Sequence, residues 1–209
     1  FDTRLKRQKT GSGAFTILTA AARQAFRDWL RTASSGSDLC CVVSASVVLP
    51  GLVPGADPAN ASPPDSMQAS ESEGSTLLRE LVEQVPGRFV LISGDYHVSA
   101  FGEVRLNDRR VGAFVLAPPL YAPLSYANSS PSDVWLSERV ELSGLGTLSV
   151  QAEPPSRGSG FGMLRCQRER QGWELGFTTQ SCDFDDTGEW HARDWPAMQF
   201  GATEMVEHR

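Results

Sequence analysis

Apolar positions recur every four residues from Leu18 through Ala22, Phe26 and Leu30. Ala25 and Trp29 form a flanking row, and Arg23, Arg27 and Arg31 occupy another face. This spacing predicts an amphipathic helix over residues 18–32. After the Ser34-Ser35-Gly36-Ser37 breaker, residues 39–49 form a Val-rich run with two adjacent cysteines. They read as a strand covered on both faces and ended by Pro50. Residues 51–72 switch to Pro, Gly, Ala, Ser and Asp, a stretch too long for a packed connection that predicts an excursion or a lid over a site. Leu77, Leu78, Leu81, Val82 and Val85 then set a second helical stripe, closed by Pro86-Gly87.

A short apolar strand over residues 88–93 runs straight into Gly94-Asp95-Tyr96-His97. Beyond it, strand-like stretches are expected at 98–105, 111–117, 139–142, 147–152, 162–169 and 173–181, separated by turn signals such as Asn107-Asp108 and Gln171-Gly172. Helix, strand, helix, strand and then a run of strands predicts an α/β or α+β half followed by a β-rich half. Residues 1–182 read as a single domain. Residues 183–209, with Trp190, His191 and Trp195 among acidic residues, show no clear period and read as a tail.

The strand that ends in Gly-Asp-x-His is where chemistry is expected. The glycine permits a sharp turn, and Asp95 and His97, two positions apart, can point to one side at the strand's carboxyl end, where α/β sites form. A carboxylate with an imidazole suits a transition metal such as Mn, Fe or Zn. The bland alternative is a turn in which Asp95 accepts backbone hydrogen bonds and His97 is a partly buried polar residue. His191 and His208 stand outside any ligand-like spacing. Gly158, Gly160 and Gly162 alternate but lead into a strand rather than a helix, which makes them a poor phosphate cradle. Sequons at Asn60 and Asn128 decide nothing. No G-x-S-x-G elbow, P-loop or H-E-x-x-H pair occurs in the sequence.

Charge narrows the partners. With 19 Lys and Arg against 25 Asp and Glu, the 209-residue chain carries a net charge of −6 and has no dense basic block. That composition argues against a nucleic-acid scaffold or an anionic membrane as partner. No apolar run approaches the roughly 20 residues that span a bilayer, so a soluble chain is expected. The start at Phe1 rather than Met, without a signal-peptide pattern, reads as an excised piece of something longer. The four cysteines include no CxxC pair, and the plain expectation is four buried thiols. The alternative is a bridge between Cys166 and Cys182, which could pair if their segments are neighbouring strands.

Four blocks together resemble a known family. Phe1-Asp2-Thr3-Arg4 with Arg7 is similar to an Asp-x-Arg-x-x-Arg segment, and the helix with Gln24 and Trp29-Leu30 is similar to an L-G-x-x-Q-x-x-W-L helix. Residues 39–50 sit where that family has its next core strand ending in proline. Asp65-Ser66-Met67, followed by Leu77-Leu78, resembles an Asp-x-Trp loop and its helix. Most specific is the stretch from Phe89 to Ser99, which resembles L-S-G-D-x-H-x-S. In this the chain resembles the carboxyl-terminal part of a PhoD-like metallophosphatase, the alkaline phosphatase D group of the calcineurin-like metallophosphoesterases.

The resemblance implies half of a layered αββα sandwich with a mixed β-sheet. It also implies hydrolysis of phosphomonoesters or phosphodiesters by metal-activated hydroxide, with Fe, Mn, Zn or Ca as the metal. Asp95 and His97 are carried over as metal ligands, with Tyr96 between them facing the core or the substrate. The family's remaining ligands come from amino-terminal blocks that this sequence does not contain, which makes a missing amino-terminal half an expected partner beside the phosphate ester. Where related enzymes carry a histidine or amide on the strand before the proline, this chain has Ser44 and Ser46. That departure favours a rival reading, a non-catalytic scaffold that keeps the fold. A third reading is a plain α+β binding module with no metal dependence.

Overall fold

The computed structural model describes residues 8–9, 15–49, 71–94, 97–120, 139–156, 158–182 and 189–201. Among these the elements in chain order are β1 (Gln8–Lys9), β2 (Phe15–Thr16), α1 (Ala20–Ser34), β3 (Cys40–Ser44), α2 (Glu71–Gln84), β4 (Phe89–Ser93), β5 (Ala100–Leu106), β6 (Arg109–Leu116), β7 (Arg139–Leu142), β8 (Gly146–Ala152), β9 (Ser159–Glu169), β10 (Gly172–Cys182), β11 (Trp190–Asp194) and β12 (Met198–Gly201). The segments 1–7 and 51–70, and the residues Asp95, Tyr96, Asn128 and His208, lie outside the described residues.

The first helix starts at Ala20 because Thr19 caps it, its hydroxyl accepting the Ala22 amide at 3.1 Å from an extended backbone. Leu18 therefore precedes the helix, although it is buried as the pattern requires. α1 buries Phe26 and Leu30, and α2 buries Leu77, Leu78, Leu81 and Val82. Arg23–Glu73 at 2.8 Å and Arg27–Glu80 at 2.7 Å bridge the two helices. α2 also takes in residues 71–72, which the composition had assigned to the excursion.

Six strands form a mixed sheet in the order β3-β4-β6-β5-β8-β7. β3, β4 and β6 run parallel, while β5, β8 and β7 pair antiparallel. Both faces of the central strands are covered, and this explains their unbroken apolar sequence. Along β4, Phe89 and Leu91 join the cluster beneath the helices, whereas Val90 and partly buried Ile92 join a second cluster on the other face. β6 divides the same way, with Phe114 and Leu116 on the helix side and Ala113 and Val115 opposite. Gly112 lies in register with Phe89, and a Cβ there would come within 2.3 Å of the Phe89 ring.

The second cluster is closed by a second sheet built on the long β9–β10 hairpin. Leu175 and Phe177 of β10, with Trp195, Met198 and Phe200, pack onto Val90, Phe101, Ala113 and Val115. The layers are thus helices, mixed sheet and antiparallel sheet, an α/β fold with a β-rich second half.

Three expectations are corrected. The run over 39–49 is a strand only at Cys40–Ser44, and it is not covered on both faces: Cys41 and Val43 are exposed. A local turn ends it, in which the Ser44 hydroxyl donates to the Ser46 carbonyl at 2.6 Å and accepts the Ser46 amide at 3.3 Å. Val47, Val48 and Leu49 are buried beyond that turn. Next, the segment from 183 is not a plain tail, because β11 and β12 both pair with β10, β11 along one half of it and β12 along the other. Finally, the cysteines are not uniformly buried: Cys40 is buried, Cys182 half-buried, and Cys41 and Cys166 exposed. Cys166 and Cys182 do lie on adjacent strands, but Cys166 faces Leu175 and Cys182 faces Ser159. Seven residues of β10 separate those positions, roughly 23 Å at ~3.3 Å per residue, which rules out that pair.

Candidate functional site

Ser44, Ser93 and Leu116 stand side by side in register as the last residues of the three parallel strands. This carboxyl edge is where an α/β sheet exposes loops rather than pleats. The edge is fastened by its own hydroxyls. The Ser93 hydroxyl donates to the Ser46 carbonyl at 3.3 Å, the same oxygen that takes the Ser44 hydroxyl. Ala117 donates its amide to the Ser93 carbonyl at 2.8 Å. Ser44, Ser46 and Ser93 are all buried.

The segment that leaves this edge carries the residues singled out in the sequence. Gly94 follows β4 directly, and His97 lies three residues on, half-buried, with a φ of 55°. A non-glycine residue in the left-handed region is held there by its surroundings. The following residues show how: Val98, Ser99 and Ala100 are buried, and Ser99 exchanges backbone hydrogen bonds with Ser156 at 2.7 and 2.9 Å. His97 is thereby bracketed between the fastened end of β4 and a bridge at the entry to β5. Asp95 and Tyr96 lie outside the described residues, so the structure fixes the position of His97 and the two flanks of the Gly-Asp-x-His turn.

Among the described residues, no group of three or more His, Cys, Asp or Glu comes together to hold a metal ion. His191 is exposed on β11, opposite Ser181 in the second sheet. One imidazole and, with Asp95, one carboxylate fit part of a ligand set; two ions ~3.5–4 Å apart need more donors than these. Of the alternating glycines, Gly158 precedes β9 with a φ of 111°, whereas Gly160 and Gly162 belong to the strand's packing, where a Cβ on Gly162 would come within 2.6 Å of the Phe177 ring. Ser93 was not singled out by the sequence as a fastener of this edge. Its only signal was a hydroxyl just before Gly94 in an otherwise apolar strand.

No family model matches the chain, and no curated protein matches it. Its fold is similar to that of a solved structure titled "Structure of PhoD", with a TM-score of 0.56 and 12% sequence identity. The match covers 94% of this chain and 37% of that one, so the chain spans little more than a third of that structure's length. At this identity the likeness shows a PhoD-like fold. Among the described residues no helix is long and apolar enough to cross a membrane.

Proposed function

We propose that the chain supplies one portion of a metal-dependent phosphoesterase, in which Asp95 and His97 contribute ligands to a metal site completed by donors from elsewhere. The observation that carries this reading is the placement of His97. It follows the carboxyl edge of the parallel strands in a strained backbone conformation, within a fold similar to that of PhoD over nearly the whole chain. When bound, the metal ions would polarise a phosphoryl oxygen and generate hydroxide from water near neutral pH. The substrate would be a phosphomonoester or phosphodiester, and the metal Fe, Mn, Zn or Ca. Asp95 and His97 account for only part of the required coordination, and hydrolysis is therefore a property of the longer protein rather than of these residues alone.

Ser44 and Ser46 favour a second reading, a scaffold that keeps the fold without the chemistry. Their hydroxyl and carbonyl groups fasten the strand end to itself and to Ser93. Elemental analysis of the purified chain, beside an Asp95→Ala/His97→Ala variant, separates the two. Bound metal that disappears in the variant supports the ligand assignment and directs phosphoesterase assays to the longer protein. Equal metal in both proteins, or none in either after incubation with Mn, Fe, Zn and Ca, overturns that assignment and leaves the scaffold.

A further inference from the structure

Two of the free thiols face each other across the gap between the sheets. Cys41 lies in register with Val90 on the parallel neighbour, so their side chains share a face, and Val90 belongs to the cluster between the sheets. Cys166 pairs with Leu175 across the β9–β10 hairpin, and Leu175 belongs to the same cluster. Both cysteines therefore point into the space between the layers from opposite sides. The contacts of the next residue on that face of β9 fix the alignment. Arg168 donates to the Ser37 hydroxyl at 3.0 Å and pairs with Asp38 at 3.7 Å, so β9 passes directly over the entry to β3. Trp173, opposite Arg168, donates its indole N–H to the Ser37 carbonyl at 3.2 Å. With Arg168 anchored at 37–38, Cys166, two residues earlier on the same face, arrives beside Cys41. Both are exposed, at the open margin of the sandwich where a small oxidant has access.

We infer that Cys41 and Cys166 form an oxidation site that closes as a disulfide and staples the outermost strand of the mixed sheet to the second sheet. With a peroxide as oxidant, one thiolate attacks a peroxide oxygen, giving a sulfenic acid and water. The second thiol then attacks that sulfur, forms the S–S bond and releases a second water. Two thiols and one hydrogen peroxide thus give one disulfide and two waters. Although both residues are exposed overall, the partial withdrawal of their thiols from water raises both above the usual cysteine range. The nearby Cys166 thiol offsets part of this for Cys41, while the negative charge of a Cys41 thiolate raises Cys166 further. With both thiols held above the ordinary range, closure is slow at neutral pH and faster as the pH rises. Cys40 points to the opposite face, in register with Phe89 under the helices, and stays out of the exchange.

The test oxidises the wild-type chain with hydrogen peroxide, blocks remaining thiols by alkylation and maps peptides under non-reducing conditions. The expected result is a Cys41–Cys166 linked peptide, a fall from four titratable thiols to two, and a thermal midpoint raised by roughly 5–10 °C for a bridge closing so long a loop. In Cys41→Ser and Cys166→Ser variants the linked peptide and the rise in midpoint should both vanish. Four thiols still titratable after oxidation, a bridge through Cys40 or Cys182, or covalent dimers in place of an internal bridge would each overturn the assignment. The mapping on wild-type protein decides this even if a variant folds poorly.

Discussion

Glu73, in the first turn of α2, accepts the backbone amide of Ile17 at 2.6 Å across a span of 56 residues, and its other oxygen takes Arg23 at 2.8 Å. Ile17 is fully buried, and Glu73 is its tie to the second helix. Replacing Glu73 by Ala removes the acceptor for a buried amide as well as the ion pair, and should lower the unfolding free energy by ~2–4 kcal/mol. Arg23 is more than a third exposed, so Arg23→Ala should cost no more than ~1 kcal/mol. Urea unfolding of the two variants checks the asymmetry. Equal losses would mean that the ion pair, rather than the bond to Ile17, is what Glu73 provides.

Glu103 joins the layers through arginine. Arg105 and Arg110 bind it at 2.8 and 2.9 Å, and Arg110 also reaches the Gln199 carbonyl and lies over the Phe200 ring at 4.9 Å. Burial pushes the Glu103 carboxyl up, but the hydrogen bonds and charges of the two arginines outweigh it and hold the carboxyl below its ordinary value of 4.5. A carboxylate whose folded pKa is depressed binds protons more readily when unfolded. Its stabilisation is therefore complete above the ordinary carboxylate pKa and is lost as pH falls through the folded value. Thermal midpoints measured from about pH 7 to about pH 3 should drop on the acid side, and the drop should be shallower in Glu103→Gln. An unchanged acid limb in that variant would assign the acid sensitivity to other carboxylates.

Arg88 is buried, and its guanidinium donates to the Asp38 carbonyl at 3.1 Å and the Ala33 carbonyl at 3.4 Å. It thereby adds to the Gly36 amide, 3.2 Å away, at a carbonyl in the last turn of α1 and holds the loop that leads into β3. Arg88→Met keeps the aliphatic stem but leaves both carbonyls without this donor. A loss of ~1.5–3 kcal/mol in chemical unfolding is expected. A neutral result would mean that the Gly36 amide suffices at the Ala33 carbonyl and water replaces the guanidinium at the Asp38 carbonyl.

The parts of the fold that were legible in sequence are those whose burial leaves a local period. Phe26 and Leu30, or Leu77, Leu78 and Leu81, are buried on a helical stripe, and the unbroken apolar run of β4 reflects cover on both faces. β11 was not legible because pairing with β10 alone defines it: Trp190, His191, Ala192 and Asp194 are all exposed, so no alternation marks the strand. β3 was read too long because Ser44 and Ser46 look like interruptions of an apolar run rather than the turn that ends it. The end of β4 at Ser93, just before Gly94, was legible because an apolar strand running into glycine is a local signal. The approach of Cys41 to Cys166 has no local signal at all, because only the stacking of two sheets brings those strands together.

Gly160 and Gly162, which alternate in the sequence like a phosphate-binding loop, are required by the β9–β10 hairpin for space. A Cβ on Gly160 would come within 1.9 Å of the Gln180 carbonyl oxygen, a backbone atom of the paired strand. A Cβ on Gly162 would meet the Phe177 ring at 2.6 Å, and that ring packs against Phe101 and Trp195. Alanine at either position should destabilise the chain by ~1–3 kcal/mol through overpacking. Gly160→Ala should be the worse of the two, because backbone cannot rotate aside as an aromatic side chain can. Gly144 supplies the control: nothing lies within 4 Å of its Cβ position, and its φ of +83° leaves only a backbone penalty of ~1 kcal/mol for alanine. Guanidinium unfolding of the three variants should therefore rank Gly160→Ala lowest, then Gly162→Ala, then Gly144→Ala. If the Gly160 and Gly162 variants proved as stable as wild type, the close approach of β9 to β10 would be wrong, and the alternating glycines would again need a functional explanation.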